Sequence, residues 1–491
     1  MERASPLPTG NGRSLLAQLR SSTRVSAGAL GACAVAAISL AVVLGADSTA
    51  YLPLNLSRYT GLTLGLAVAV GLTTLIWPEL AVPAIIIGAG LLDAQLGHGR
   101  VRHLVFVKLA LFGCGGLGVA LAMAKRHSRV ARIRTPADVP ALCLVCYTAG
   151  SAAYAYLCAG YDLDSVAVAG YHLSQLALYH FLVTTTLGRA DSLRRAGIIT
   201  VTWSVLWIIP SLLTPGRGGG SATMWLIVLL CYVTASRSSW SLLVWTALPL
   251  ALLDTLTSGY RTLWVSVAAQ VGWLANCGLR SRLRQLRGTA TTLTVLCVLI
   301  AGVLAARSFV LTSLPAAETL DRFSASLVDG GYRVPEALIG LAAFGQSPVF
   351  GLGVGYHTPP IWVETMGYMS VGPIYHVYYV SYLASEGIIG LGLVFWYFLA
   401  VLFSREARTA RRDASRSPWA ALALGLQAAF VGAIFAAFFS GPSDGHWTWG
   451  VLGAGSLLPA IWATQQSADS RWREAGGREV SLNLEASHGA A

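Results

Sequence analysis

The residues best suited to chemistry lie between positions 331 and 390. The first stretch, GYRVPEALIGLAAFGQSPVFGLGVG, contains Arg333, and the second, PIYHVYYVSYLASEGIIGLGLVFWYFL, contains His376 and Glu386. An imidazole exchanges protons near neutral pH, so His376 can accept a proton. A guanidinium carries a permanent positive charge and binds phosphate oxygens through two N–H groups, so Arg333 can hold an anion. Glu386 follows His376 by about three helical turns; it is interpreted as a packing or hydrogen-bonding residue rather than a catalyst, and it is included among the candidate substrate-binding residues.

Two further arginines could hold an anion. Arg261 lies in TSGYRTLWVSV, beside Gly259 at a tight junction of two apolar runs, and Asp254 is the nearest acidic residue in sequence. A guanidinium inside a membrane needs an anionic partner, and an external anion such as pyrophosphate is a candidate. Arg217 lies in the glycine-rich turn PGRGGGS, where bare backbone amides can also face phosphate oxygens. An ordinary flexible turn explains Arg217 equally well.

Aromatic and acidic residues flank these candidates. Tyr375 and Tyr379 surround His376 and can stack on sugar rings, although tyrosines at this position also fit an aromatic belt at a membrane interface. Asp444 and His446 lie in the turn GPSDGHWTWG, where they can line an entrance for a substrate. A capped turn is an equally good explanation of Asp444 and His446.

The composition determines what kind of elements must position these residues. Hydrophobic residues make up 55% of the 491 residues and charged residues 11%, far below the charged fraction of soluble domains. Apolar runs of about twenty residues recur along the chain, each long enough to cross a bilayer as a helix. The 34 basic residues exceed the 22 acidic ones, but they form short clusters between apolar runs, which indicates membrane topology and not nucleic-acid binding.

These patterns predict an all-α, polytopic transmembrane helical bundle of about 12–14 spans. The full count of fourteen places spans near 26–45, 59–77, 79–96, 103–124, 139–160, 166–187, 197–214, 222–236, 239–257, 260–278, 289–306, 374–402, 419–440 and 447–464. The corresponding organisation is an N-terminal tail at 1–25, N-terminal helices at 26–306, a loop at 307–373, C-terminal helices at 374–464 and a tail at 465–491.

The arginine clusters orient this bundle. With both tails in the cytoplasm, every basic cluster falls on the cytoplasmic side, as the positive-inside rule requires. The loop at 307–373 is then extracytoplasmic, and its segment 334–344, VPEALIGLAAF, is predicted to form a helix that lies flat on the membrane surface. Arg217, Arg261, Arg333 and His376 fall on this same outer side.

The ordered elements of the outer side resemble the O-antigen ligase and O-antigen polymerase family of membrane glycosyltransferases. That family has an arginine at a surface helix, a P-x-x-G-x-G-x-G element, and a histidine at the start of a span that contains E-G-I-I-G. The matching residues are Arg333, Pro348, Gly351, Gly353, Gly355, His376, Glu386, Gly387 and Gly390. SGYRT around Arg261 is similar to the family's S-R-T/G segment. One departure is Val377, where the family commonly has asparagine.

The resemblance implies an inverting transfer of a glycan from a polyprenyl-pyrophosphate carrier to an acceptor hydroxyl at the outer face of the cell membrane. His376 would be the base, and Arg261, Arg333 and Arg217 would hold the pyrophosphate. The implied partners are the lipid-linked glycan donor, a glycan, lipid or protein acceptor, and membrane lipids. Cofactors and metal ions are not expected, because the matched motifs gather no carboxylate cluster.

Two alternatives stay open. A transporter or flippase for an anionic lipid-linked substrate would also place cationic residues in an intramembrane cavity, but the two halves of the chain show no convincing inverted repeat. Within the family, a polymerase joins two lipid-linked repeats, whereas a ligase moves a finished glycan to another acceptor. The sequence does not separate these two activities.

Overall fold

A computed structural model describes the central and C-terminal helices of the chain. The described residues are 56–85, 87, 111, 113–119, 133–188, 192, 195–200, 202–203, 206, 221–236, 241–257, 261–279, 333–358, 361–363, 367–369, 377–415 and 417–438. Of the spans expected from sequence, 26–45, 289–306 and 447–464 lie outside these residues, and 79–96, 103–124 and 197–214 are described only in part.

Helices dominate the described residues. The helices are α1 (Leu56–Ile76), α2 (Asp138–Leu157), α3 (Leu163–Thr186), α4 (Ser221–Ser236), α5 (Ser241–Thr257), α6 (Arg261–Leu274), α7 (Arg333–Gln346), α8 (Tyr378–Phe403), α9 (Arg405–Asp413) and α10 (Pro418–Ala436). A 3-10 turn at Pro78–Leu80 follows α1, and a π-helical turn at Ala275–Leu279 follows α6. Two short antiparallel strands, β1 (Ile361–Val363) and β2 (Gly367–Met369), pair between α7 and α8.

Within the described residues, four helices are long and apolar enough to cross a membrane. They are Asp138–Leu157, Ser165–Thr186, Tyr378–Asp413 and Pro418–Ala436. Each coincides with a span expected from the hydropathy of the sequence, because some twenty consecutive apolar residues favour a helix that satisfies all its own backbone groups in lipid. A polytopic helical membrane protein is the architecture that these helices support.

Small residues let α10 approach its neighbours closely. A Cβ atom on Gly425 would lie 3.0 Å from the Val228 carbonyl oxygen of α4, and one on Gly432 would lie 2.7 Å from the Ser266 carbonyl oxygen of α6. Glycines at such crossings bring helix backbones together, which is the common packing device where lipid removes most of the hydrophobic driving force. Helix α10 is thereby the centre of the packing between α4 and α6.

Contacts between helix ends show which termini share one end of the bundle. Asp138 at the start of α2 lies 2.8 Å from the Nε2 atom of His180, late in α3. The Nδ1 atom of His180 lies 3.1 Å from the hydroxyl of Tyr397, late in α8. This end also carries the arginines of α9, so we call it the basic end. The start of α3, the start of α8 and the end of α10 lie at the opposite end.

The short helix α9 forms a clamp at the basic end. Its Arg411 donates hydrogen bonds to the Leu402 carbonyl at 2.6 Å and to the Gln427 side-chain oxygen at 2.9 Å. The same guanidinium lies 5.6 Å from the ring centre of Trp273 on α6. This one side chain therefore joins four helices, and it caps the carbonyl end of α8.

Candidate functional site

Helix α8 is broken in its middle. Gly387 has φ 65° and ψ −162°, which is outside the helical region and interrupts the helix between Ser385 and Ile388. An interruption frees carbonyl groups on one side and N–H groups on the other, and in a membrane these groups need partners. The partners come from the glycine-rich loop that follows α7, residues 347–358, which we call the glycine loop.

Four backbone hydrogen bonds join the glycine loop to the break. Two loop amides donate to freed carbonyls of α8, and two amides of the second half of α8 donate to loop carbonyls. The bonds run from Leu352 N to Ala384 O (2.8 Å), from Gly353 N to Ser385 O (3.0 Å), from Ile388 N to Pro348 O (2.9 Å) and from Ile389 N to Val349 O (3.4 Å). The loop therefore satisfies the backbone of the broken helix on both sides of the interruption.

Glycine is required where the two backbones meet. Gly351 has φ 71°, and a Cβ atom there would lie 2.3 Å from the Ser385 carbonyl carbon. A Cβ atom on Gly387 would lie 2.3 Å from the Val349 carbonyl oxygen. Positive φ and backbone contact both exclude other side chains at these two positions. The G-x-G-x-G element and the glycine of E-G-I-I-G thus form one structural unit, although about thirty residues separate them in sequence.

Helix α7 packs against the first half of α8 and leads directly into the glycine loop. Its Ala343 packs with Val380 and Ala384 in a small apolar cluster on the first half of α8. The loop then meets Ile388, the first residue after the break. Helix α7, which the sequence predicts to lie flat on the membrane surface, packs one face against α8, while its Leu338 and Leu341 are exposed. An exposed apolar face fits the predicted contact with lipid, which stays a prediction.

The glycine loop returns to the end of the bundle opposite the basic end, where side chains anchor it. Tyr161 donates a hydrogen bond to the Leu352 carbonyl at 2.9 Å. Burial raises the pKa of the Tyr161 phenol above its ordinary value, and the neighbouring Tyr356 and Tyr154 raise it further, so the hydroxyl stays protonated. The Nε2 atom of His357 lies 2.7 Å from the Ser165 hydroxyl at the start of α3.

Glu386 occupies the centre of the break. Its side chain is fully buried, and within the described structure neither carboxylate oxygen has a hydrogen-bond partner. Its backbone carbonyl accepts a hydrogen bond from the Tyr147 hydroxyl of α2 at 3.0 Å. The carboxylate folds back over Gly390, where a Cβ atom would lie 2.5 Å from one of its oxygens. Glycine at position 390 therefore makes room for the acid.

Two of the three predicted catalytic residues are the first residues of helices at the end opposite the basic end, and the described segment that leads into α8 begins directly after the third. Arg261 is the first residue of α6, Arg333 is the first residue of α7, and Val377 directly after His376 precedes α8. The amide of Tyr378 donates to the Ala437 carbonyl at 3.1 Å, which joins the start of α8 to the end of α10.

The directions of α6 and α7 follow from their contacts. Helix α6 runs antiparallel to α10, because Ser266 near its start meets Gly432 late in α10, and Trp273 near its end meets the Arg411 clamp. Arg261 therefore lies level with the end of α10. Helix α7 runs along the first half of α8, and its fourteen residues span about 21 Å, which brings Arg333 back to the start of α8. Arg261, Arg333 and the segment next to His376 thus share one end of the bundle.

Tyr379 has a different environment from the one expected. Its side chain is 5% exposed and packs against the rings of Phe395 and Phe438. Its hydroxyl donates to the Ile434 carbonyl of α10 at 2.7 Å. With both faces and the hydroxyl in use, Tyr379 joins α8 to α10, and this packing leaves no ring face for a sugar. We therefore assign it a structural role and not substrate stacking.

The remaining candidates lie outside the described residues. These are Arg217, Tyr375, His376 and Asp444. Two residues that the sequence analysis did not select anchor the glycine loop, His357 from the loop itself and Tyr161 from the connection between α2 and α3. Both lie where the glycine loop meets α2 and α3. A signal for His357 exists in GVGYH, where it directly follows the glycine element, whereas Tyr161 lies nearly 200 residues before its partner in sequence and has no local signal.

Comparisons with known proteins add no relative: no protein-family model, curated protein or solved structure matches this chain.

Proposed function

We propose that this chain is a membrane glycosyltransferase similar to the O-antigen ligases and polymerases. It would transfer a glycan from a polyprenyl-pyrophosphate carrier to an acceptor hydroxyl, in the biosynthesis of a cell-surface polysaccharide. The observation that carries the proposal is the convergence of Arg261, Arg333 and the segment next to His376 at one end of the bundle, although they come from three separate helices. The basic end lies opposite, so the positive-inside rule would place this site at the outer face of the cell membrane.

The chemistry needs a base and fixed positive charge. In the proposed mechanism His376 removes the proton from the acceptor hydroxyl while the oxygen attacks the anomeric carbon of the donor sugar. The bond from this carbon to the pyrophosphate oxygen breaks, and the sugar inverts. Arg261 and Arg333 stabilise the negative charge on the departing polyprenyl pyrophosphate. Arg217 and Asp444 remain proposed contacts for the donor and the acceptor.

The glycine loop gives this site a rigid frame. The loop fixes α7 against α8 through backbone hydrogen bonds, so the helix starts at Arg333 and next to His376 keep one relative position. Reacting groups that are held in place lower the entropic part of a reaction barrier. Glu386, at the break, would serve this frame and not the substrate.

A second candidate function also has a supporting observation. Broken helices with a buried acid occur in membrane transporters, where they form ion and substrate sites near the middle of the bilayer. The break of α8 at Gly387, with Glu386 beside it, has that form. A transporter of an anionic lipid-linked substrate would move its donor across the membrane without cutting the bond between sugar and phosphate.

One assay separates these functions. The purified chain is placed in vesicles with a polyprenyl-pyrophosphate glycan and acceptor, and both released polyprenyl pyrophosphate and donor sidedness are measured. We expect carrier release and glycan transfer, and we expect Arg261→Ala to abolish them while insertion into vesicles is retained. Arg412→Ala, which removes an exposed arginine at the basic end, is the matched control. Donor movement across the membrane without carrier release would instead establish transport.

A further inference from the structure

The carboxyl group of Glu386 lacks the compensation that a buried charge needs. Its side chain is fully buried, and neither oxygen has a hydrogen-bond partner in the described part of the chain. An isolated ionised carboxylate in an apolar interior costs many kcal/mol, so such a group either pairs with a cation or takes up a proton. The neighbours of Glu386 decide between these two possibilities.

The groups that face Glu386 are hydroxyls. From α2 they are Tyr147 and Thr148, and from α8 itself they are Tyr378 and Tyr382. The glycine-loop segment docked on the break, 347–353 (SPVFGLG), carries no ionisable side chain. Within the described residues, arginine, lysine and histidine do not appear among the groups that face this carboxyl.

Three of these four hydroxyls are already engaged. Tyr147 donates to the backbone carbonyl of Glu386, Tyr382 donates to the Leu173 carbonyl of α3, and Tyr378 lies 2.9 Å from the Tyr382 hydroxyl. The Thr148 hydroxyl is also buried and has no hydrogen-bond partner among the described residues. Among the described residues, the site thus offers the acid one hydroxyl and no compensating positive charge.

From this arrangement we infer that Glu386 is a proton-binding site, neutral while the glycine loop is docked on the break of α8, and that losing its proton releases the loop. A neutral acid can donate its O–H group to Thr148, whereas an ionised one would stay buried with a single hydroxyl donor and no cation among the described residues. Opening the loop would give the charged form access to water. This inference stands on the geometry of the break and does not depend on the proposed transferase activity.

The direction of the pH dependence follows from linkage. The docked form holds the acid in its neutral state, so docking takes up a proton and is favoured at low pH. As pH rises, the ionised form is favoured and the docked loop loses stability by up to about tenfold in its equilibrium constant per pH unit. Glutamine is neutral at every pH and has nearly the same shape, so Glu386→Gln should remain docked throughout.

Two measurements on the purified full chain test this inference. Hydrogen exchange of the glycine-loop amides, corrected for intrinsic base catalysis, should rise with pH in the wild type and stay flat in Glu386→Gln. Glu79→Gln, which removes a carboxylate paired with Arg195 at 3.2 Å elsewhere in the chain, should behave as wild type. Infrared spectroscopy at neutral pH should show the carbonyl stretch of a protonated carboxyl group that Glu386→Gln abolishes and Thr148→Val shifts.

Two outcomes would overturn the inference. One is a wild-type spectrum without any protonated carboxyl band at neutral pH, with or without sodium ions, which would show an ionised Glu386. The other is loop exchange with the same pH dependence in the wild type and in Glu386→Gln. If Glu386→Gln does not fold, the wild-type band and its shift in Thr148→Val still decide whether the acid carries a proton.

Discussion

The amide of Leu352 donates a hydrogen bond to the carbonyl of Ala384 at 2.8 Å, and this contact docks the glycine loop on the broken helix α8. It is one of four backbone hydrogen bonds that replace the ones lost at Gly387. The interruption of α8 is therefore a fully bonded joint between two segments, and not an irregularity of one helix. The stability of this joint determines how firmly the end of the bundle opposite the basic end holds its shape.

Because Gly387 lies at the joint, we expect a side chain there to destabilise the chain strongly. In Gly387→Ala the new Cβ atom would lie 2.3 Å from the Val349 carbonyl oxygen, at a residue whose φ is positive. We expect the free energy of unfolding to fall by at least about 2 kcal/mol, because the backbone is strained and the loop is displaced. Thermal unfolding in detergent, followed by tryptophan fluorescence, measures the change.

Gly392→Ala is the matched control on the same helix. Nothing lies within 4 Å of a Cβ atom at Gly392, where the backbone is helical. Alanine is the better helix former by about 1 kcal/mol, so this variant should unfold at the same temperature as the wild type or higher. Equal unfolding temperatures for the two variants would show that the joint is not tight.

A second prediction concerns the buried pair at the basic end. His180 is fully buried and lies 2.8 Å from Asp138, whose carboxylate also accepts a hydrogen bond from Thr135 at 2.9 Å. Asp138→Asn weakens both contacts, and we expect it to destabilise the chain by about 1–3 kcal/mol. The same unfolding assay measures the loss.

The control for this pair is Glu79→Gln, since the Glu79 pair with Arg195 is partly exposed and should contribute less than about 1 kcal/mol. If Asp138→Asn were as stable as Glu79→Gln, the network of Asp138, His180 and Tyr397 would not hold α2, α3 and α8 together.

A third prediction compares two neighbouring arginines on α9. Arg411 bonds to Leu402 and Gln427 and covers the ring of Trp273, whereas Arg412 is exposed. Arg411→Ala removes charge-assisted hydrogen bonds and should cost about 2–3 kcal/mol, while Arg412→Ala should change stability by about 0.5 kcal/mol or less. The unfolding temperatures of the two variants measure this difference. If Arg411→Ala lowered the unfolding temperature no more than Arg412→Ala, α9 would not act as a clamp.

The sequence predicted the helices well and their joints poorly. The spans near 139–160, 166–187 and 419–440 follow directly from apolar runs, because in lipid a helix is the one local solution for such runs. Hydropathy gives no signal for the break inside α8, since E-G-I-I-G lies in a segment that is apolar enough overall to cross a membrane. The break depends on pairing with a loop about thirty residues earlier, and hydropathy does not report pairing between distant segments.

For the candidate site too, the sequence predicted some features and missed others. Arginine placement predicts that Arg261 and Arg333 lie on the outer side of the membrane, and this stays a prediction. Residue type alone did not separate Tyr379, which packs between helices, from a tyrosine that faces a substrate. Such a distinction depends on what surrounds the ring, and only the packing of α8 against α10 supplies it.

The proposed base can be tested by comparing two histidines, His376 and His357. His376 is the proposed proton acceptor, whereas His357 contacts Ser165 at the start of α3 and would position the glycine loop. With a polyprenyl-pyrophosphate glycan and acceptor in vesicles, His376→Ala should slow carrier release by about 100-fold or more, the range of general base catalysis. His357→Ala should retain most of the rate, and a wild-type rate of carrier release in His376→Ala would contradict the proposed transferase.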